Sequence, residues 1–391
     1  MDRFTAAERA LRQAAPHALL QAVQDALATH YGAVSVDLLM ADYAMTILQP
    51  VSELPYTAEP IPVHTSSPGR AFGAQQPYVV ADERAGLLTV HLPVSVRGDR
   101  IGVLAVVLPR DSYEGPAEQE LSDIAEVLGH EIVVGERDTD VYLQARRANR
   151  LTLAAEMQWQ LLPGRSCSRP EYEIGAQLEP AYAIYGDNFD WSSSADHLTL
   201  VITNGMGEGI EAALLTNLAV NALRNARRAG LSLSDQACLA DQAVYGHYHG
   251  HAHLSTLLLR FDLDTGRTQI VDAGSPRMWR LRQGKAEQIH FEAQMPLGMF
   301  EDTPYTTESF QVEPGDRLVF VSDGVYDVAS PAGERYSEKA LMRALTSTRL
   351  LPASQVPRAV LQELAGHRGP IEADDDAMVV CLDWNGRPDQ A

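Results

Sequence analysis

Residues 201–209 read Val-Ile-Thr-Asn-Gly-Met-Gly-Glu-Gly, an apolar run that breaks at Asn204 into a glycine-rich corner. Three further corners share this design. Tyr-Gly-Asp-Asn-Phe-Asp spans 185–190, Ser-Asp-Gly-Val-Tyr-Asp spans 322–327, and Asp-Asp-Asp spans 374–376. Each sets an acidic or amide side chain at the end of an apolar run, beside turn formers. Strands that end this way bring short oxygen-bearing side chains together at one edge of a sheet. Such a cluster suits hard divalent cations, which prefer oxygen ligands. The constraint is severe: the chain must fold so that strand ends far apart in sequence meet.

With 391 residues the chain is long enough for two or three domains, each with its own core. The formal charge of -21 argues against nucleic acid or an anionic membrane surface as partner, because phosphates would repel it. Cys167, Cys238 and Cys381 are widely spaced and odd in number, which fits neither a disulfide framework nor a C-x-x-C metal site. The first residues lack the basic, then apolar, then small-residue order of a signal peptide. A soluble, cytoplasmic protein is expected.

The segment 6–134 reads as helix, strands, helix. Leu19, Leu20, Val23, Leu27 and Tyr31 recur at helical spacing, which predicts a helix over 15–31. Strands are expected at 34–40 and 46–51, then a hairpin of 87–96 and 101–108 across Arg97-Gly98-Asp99-Arg100. The hairpin sequence, with Gly69-Arg70-Ala71-Phe72 before Gln76-Pro77-Tyr78-Val79-Val80, resembles GAF sensor domains. A different small α+β domain is the competing reading. The resemblance implies an unidentified small-molecule or protein input. Residues 135–163 read as a helical linker. Val134, Val141, Ala148 and Ala155 fall seven apart, with Ala145, Thr152 and Trp159 four after the last three, as in a coiled-coil seam. A signalling helix would make the protein a homodimer; a helix packed on its own domain is the alternative.

The segment 171–384 alternates strands with helices. Strands are expected at 174–178, 198–203, 256–262, 268–271, 278–282, 317–321 and 377–383. Helices are expected at 210–229, 234–245, 337–346 and 353–364. His247, His249, His251 and His253 alternate, a period that aligns metal ligands on a strand or marks a solvated loop.

From residue 155 onward the motifs resemble PPM-type metal-dependent protein phosphatases, in the stage-II-sporulation-E branch. They run in order: Gln158-Trp159-Gln160-Leu161-Leu162-Pro163, Glu179-Pro180-Ala181, Tyr185-Gly186-Asp187-Asn188-Phe189-Asp190, then the Asn204 corner followed by Glu211-Ala212-Ala213. Next come Asp272-Ala273-Gly274-Ser275-Pro276, Pro296-Leu297-Gly298, Pro314-Gly315-Asp316-Arg317-Leu318, and Ser322-Asp323-Gly324. The resemblance implies an α/β fold, an α/β/β/α sandwich joined to the GAF-like sensor by the helical linker. It also implies two manganese or magnesium ions per phosphatase domain. Asp323 and Asp375 would each bind one ion, with Asp376 the alternative to Asp375. The carbonyl of Gly205 would help bind the other, and Asp187 would orient metal-bound water. The implied substrate is a phosphorylated protein of the anti-sigma-factor-antagonist type, in a bacterial stress or differentiation pathway.

Asn204 departs from that family, which has a metal-bridging aspartate there. An amide offers one neutral oxygen and a donor. The charge lost beside each cation costs on the order of several kcal/mol even at an effective dielectric near 20. Metal affinity would fall by roughly a hundredfold or more. Arg277 and Met378 are further departures. A slow enzyme, a pseudophosphatase that binds a regulatory partner under control of the sensor, and a deliberately inactivated form are all compatible with the sequence.

Overall fold

Leu88, Val90, Leu92 and Val94 fall on one side of the strand Leu87–Val96, since successive side chains of a strand point to opposite faces. All four are buried in one core with Leu121, Ile124, Leu128 and Ile132 of the helix Ala117–Gly135. The computed structural model describes residues 2–53, 59–147, 151–179, 184–274, 276–336, 338–371 and 373–387. The chain divides into two units, Met1–Arg150 and Leu151–Ala391.

The first unit holds a six-stranded antiparallel sheet. Its order is Ile61–Pro62, Ile47–Pro50, Ser35–Ala41, Asp99–Pro109, Leu87–Val96, Tyr78–Asp82. The central hairpin closes with Val96 opposite Asp99. Arg97 and Gly98 between them both have positive φ, as two-residue hairpin loops of the primed type require. Helices Arg3–Gln13, Leu19–Tyr31 and Ala117–Gly135 share the main core, and the short helix Ser67–Ala74 contributes Phe72 to a smaller core with Leu39, Ala41 and Val103. The helix expected over 15–31 starts as a 3-10 turn at Pro16 and becomes α-helical at Leu19.

The expected continuous helix over 135–163 is divided. The helix ends at Gly135, where Asp138 N–H and Thr139 N–H turn back onto the Gly135 carbonyl. A short helix, Val141–Ala145, buries Tyr142 and Ala145 in the first unit's core, and Tyr142 donates its hydroxyl proton to the Pro16 carbonyl at 2.6 Å. Val134 is exposed, and Ala148 lies outside the described residues. The helix Leu153–Leu161 then begins anew on a Thr152 cap and belongs to the second unit. Of the residues spaced like a seam, Ala145 is buried in the first unit and Ala155 and Trp159 in the second, while Val134 and Thr152 are exposed.

The second unit stacks two antiparallel sheets. The five-stranded sheet runs Glu308–Gln311, Arg267–Ala273, Leu254–Asp262, His197–Gly205, Asn188–Ser193. The six-stranded sheet runs Lys285–Ile289, Arg277–Arg282, Asp316–Val321, Ala377–Trp384, Tyr172–Glu179, Ser166–Arg169. Strand parity sorts the apolar residues into layers. Val319, Val321, Val379 and Cys381 pack outward against the helices Glu338–Ser347 and Val356–Arg368. Val201, Leu258 and Val271 pack outward against Gly209–Arg228 and Leu233–Tyr248. The alternate residues face between the sheets, where Phe261 stacks on Trp384 with ring centroids 5.9 Å apart. This is an α/β/β/α sandwich within a mixed α/β chain. Among the described residues no helix is long and apolar enough to cross a membrane.

The histidine alternation does not form a strand. His247 lies in the last turn of Leu233–Tyr248, His249 caps that helix with φ 51°, and the next strand starts only at Leu254.

Candidate active site at the ends of the two sheets

Asn204 shares the parity of Leu200 and Ile202, so the strand that buries those residues between the sheets also aims the Asn204 side chain there. Its amide donates to Asp323 Oδ1 at 2.5 Å, linking the end of one sheet to the corner after Asp316–Val321 in the other. Gly324 N–H donates to the same oxygen at 3.0 Å.

The loop that carries Asp187 lies against this corner at close range. Gly186 has φ +95°, and its carbonyl accepts the Thr216 hydroxyl at 2.8 Å. A Cβ on Gly205 would sit 2.8 Å from Thr216 Oγ1 and 3.1 Å from the Gly186 carbonyl oxygen. The two glycines thus let the strand end and the loop touch backbone to backbone.

Of the triple aspartate, Asp374 is exposed, Asp375 half-buried and Asp376 buried. Asp376 Oδ2 accepts three hydrogen bonds, from Gln158 Nε2 at 2.8 Å, Tyr185 N at 3.0 Å and Gly186 N at 3.2 Å. Gln158 also donates to the Asp187 carbonyl at 3.0 Å. Asp376 therefore braces the loop. Asp375 accepts from Asp376 N–H at 2.8 Å, and its carboxyl is pushed up to about 7 by burial first and the Asp323 charge second. Asp187 is buried, and its carboxyl is pushed well above the ordinary range by that burial and then by the Asp376 charge. Its Oδ2 has no hydrogen-bond partner among the described residues.

Asp187, Asp323 and Asp375 thus repel one another in a partly dry corner with an oxygen-only donor set. That chemistry fits hard divalent cations, which relieve such repulsion. Among the described residues no group of three or more His, Cys, Asp or Glu is already arranged to hold a metal ion.

Arg277, at the start of its strand, lays its guanidinium 3.8 Å above the Tyr326 ring in the turn of helix that follows Asp323. Burial, then the Asp323 charge, push the Tyr326 phenol up to about 12. The two remaining motif aspartates are paired with arginines. Asp190 pairs with Arg224 at 2.8 Å and Arg227 at 2.9 Å, and Asp327 pairs with Arg335 at 3.2 Å. The bracing roles of Gln158, Thr216 and Asp376 were not read from the sequence; the only signal was that Gln158 opens the motif series.

Residues 194–385 match the family model of stage II sporulation protein E (SpoIIE). The matched residues lie within the C-terminal unit. Among curated relatives, Protein IcfG of Synechocystis is 25% identical over 264 residues, covering 59% of this chain and 41% of that protein. Phosphoserine phosphatase RsbU of Bacillus subtilis is 23% identical over 228 residues, covering 58% of this chain and 67% of the relative. A solved structure of the RsbU and RsbW domains of a Mycobacterium tuberculosis protein aligns with TM-score 0.49 and 22% identity, over 56% of this chain and 62% of its own. The chain thus spans less than half the length of Protein IcfG.

Proposed function

We propose that the C-terminal unit is a phosphoprotein phosphatase acting on phosphoserine or phosphothreonine, with a metal site weakened by Asn204. The observation that carries this reading is the gathering of Asp187, Asp323 and Asp375 at one end of the sandwich, the last two within the residues that match the SpoIIE model and Asp187 shortly before them. Manganese or magnesium, held by Asp323, Asp375 and the Gly205 carbonyl, would supply a water of lowered pKa and neutralise phosphoryl charge. The chain's own groups do the rest. Asp376 and Gln158 fix the loop that carries Asp187, whose Oδ2 has no partner among the described residues and in this reading orients water. Arg277, seated over the Tyr326 ring, would offer a guanidinium to a phosphoryl oxygen.

The substrate in this reading is a phosphorylated anti-sigma-factor antagonist, supported by the SpoIIE match and by the likeness to a phosphoserine phosphatase. The first unit acts in this reading as a GAF-like input domain for a small molecule or protein, in the cytoplasm. With the 135–163 segment divided into separate helices, the homodimer expected from the seam is not part of this proposal.

A second reading is favoured by the Asn204–Asp323 hydrogen bond, which satisfies a carboxylate without a metal. In it the unit binds a regulatory partner and does no chemistry. Hydrolysis of a phosphoserine peptide with manganese and with magnesium separates the two. Slow turnover, faster in manganese because magnesium demands near-ideal octahedral geometry, is expected. No turnover in either ion, with no gain on Asn204→Asp, leaves only the second reading.

A further inference from the structure

Carboxylates outnumber cations in the chain, 52 Asp and Glu against 31 Lys and Arg. Residues 339–362 reverse that balance locally, with four cations and no carboxylate. Three of those cations, Lys339, Arg343 and Arg349, line one open groove of about 790 Å³ with Met342, Thr346 and Ala286. Lys339 and Arg343 stand four apart on the helix Glu338–Ser347, one above the other on the same face. All three cations are exposed. Of the neighbouring carboxylates, Glu338 pairs with Arg277 at 3.5 Å, and Glu363 accepts at 3.2 Å from the hydroxyl of Ser347, which also lines the groove. Met342 and Ala286 form an apolar floor, since both are half-buried against the core beneath. Leu350, beside Arg349, is 86% exposed, the highest value among the exposed large apolar side chains described.

We propose that this groove docks an acidic, leucine-bearing segment of a partner protein. The cations read the carboxylates, and the floor with Leu350 receives an apolar side chain. A protein segment is favoured over nucleic acid or an anionic membrane because the net charge of -21 repels extended polyanions, whereas a short segment meets chiefly the local cations. The groove begins one residue beyond Glu338, whose carboxylate is paired with Arg277 at the rim of the candidate site. A segment seated there would hold its protein beside that site. The inference does not require the site to be catalytic.

The test is fluorescence anisotropy of a short labelled peptide of alternating glutamate and leucine, with the full chain, in chelator and without phosphate. Binding that weakens as salt rises is expected, with affinity falling at least about tenfold in the Lys339→Glu, Arg343→Glu double variant. Leu350→Ser should weaken it as well. Because the substituted side chains are exposed, far-ultraviolet circular dichroism should be unchanged; if the charge reversal unfolds the protein, Arg343→Gln with Arg349→Gln replaces it under the same criterion. No binding to the native groove, equal binding by the variants, or preferential binding of phosphatidylserine vesicles or single-stranded RNA overturns the proposal. Phosphatase assays have no bearing on any of these outcomes.

Discussion

The side-chain amide of Asn204 donates to the carboxylate of Asp323 across the junction of the two sheets. A carboxylate at position 204 could not do this. It would face Asp323 as a second anion, in a corner where Asp187 and Asp375 already have raised proton affinities. The amide therefore relieves, without an ion, the repulsion that a bridging aspartate would leave to metals.

Two opposite effects are expected of Asn204→Asp. In chelator the variant should be less stable, by about 1–3 kcal/mol for a lost charge-assisted hydrogen bond and an added repulsion. With manganese the order should reverse, because ion binding to the folded state stabilises it. Thermal melts with and without the ion read both effects. Turnover of a phosphoserine peptide should rise at least about tenfold, or roughly 1.4 kcal/mol in the barrier. Asp323→Asn in that background should abolish the gain. Identical melts in both conditions would count against position 204 as the weak point.

Asp376 should behave as a brace. Asp376→Ala strands two backbone donors and the Gln158 amide in a buried corner, and each unpaired donor costs about 1–3 kcal/mol. Asp376→Asn keeps an accepting oxygen and should cost less. Denaturant midpoints of the two variants check this; equal losses would show that the charge, not the hydrogen bonds, holds the loop.

How much of this was legible follows from where each segment is buried. Residues 318–321 and 377–382 of the strands Asp316–Val321 and Ala377–Trp384 are covered on both faces, by helices and by the opposite sheet, so they read as unbroken apolar runs. Asn188–Ser193 is a strand too, yet Asp-Trp-Ser-Ser hides it. Its Asp190 stays buried only because Arg224 and Arg227 reach it from a helix far along the chain. Ser166–Arg169, Lys285–Ile289 and Glu308–Gln311 are edge strands with mixed exposure and little alternation to detect. The choice between Asp375 and Asp376 was illegible for another reason. Adjacent residues point in different directions, and only the position of Tyr185 and Gly186 reveals which one is engaged.

Asp190 offers a separate stability test. Its side chain is 4% exposed between two arginines. Removing one partner of a buried ion group leaves uncompensated charge, so Asp190→Ala should cost about 3–5 kcal/mol. Metal affinity should be unaffected in the folded fraction. A loss below about 1 kcal/mol would mean that solvent reaches the arginines readily.

The first unit should lose stability in mild acid through His91. This side chain lies on the strand face opposite Val90 and Leu92, is 7% exposed, and its Nδ1 has no partner among the described residues. Burial lowers its proton affinity below the ordinary value of 6.5. The sign follows from where the proton is held. Above 6.5 the imidazole is neutral both folded and unfolded, and stability is intact. As pH falls from 6.5 through the lower folded value, the unfolded chain takes up a proton that the folded unit resists, and stability is lost. Melting of the full chain, followed in the transition assigned to the first unit, should shift downward as pH falls below 6.5. His91→Gln removes the titrating group and should flatten that part of the profile, although the variant starts from a lower melting temperature. An unchanged slope in the variant would assign the acid sensitivity to other groups.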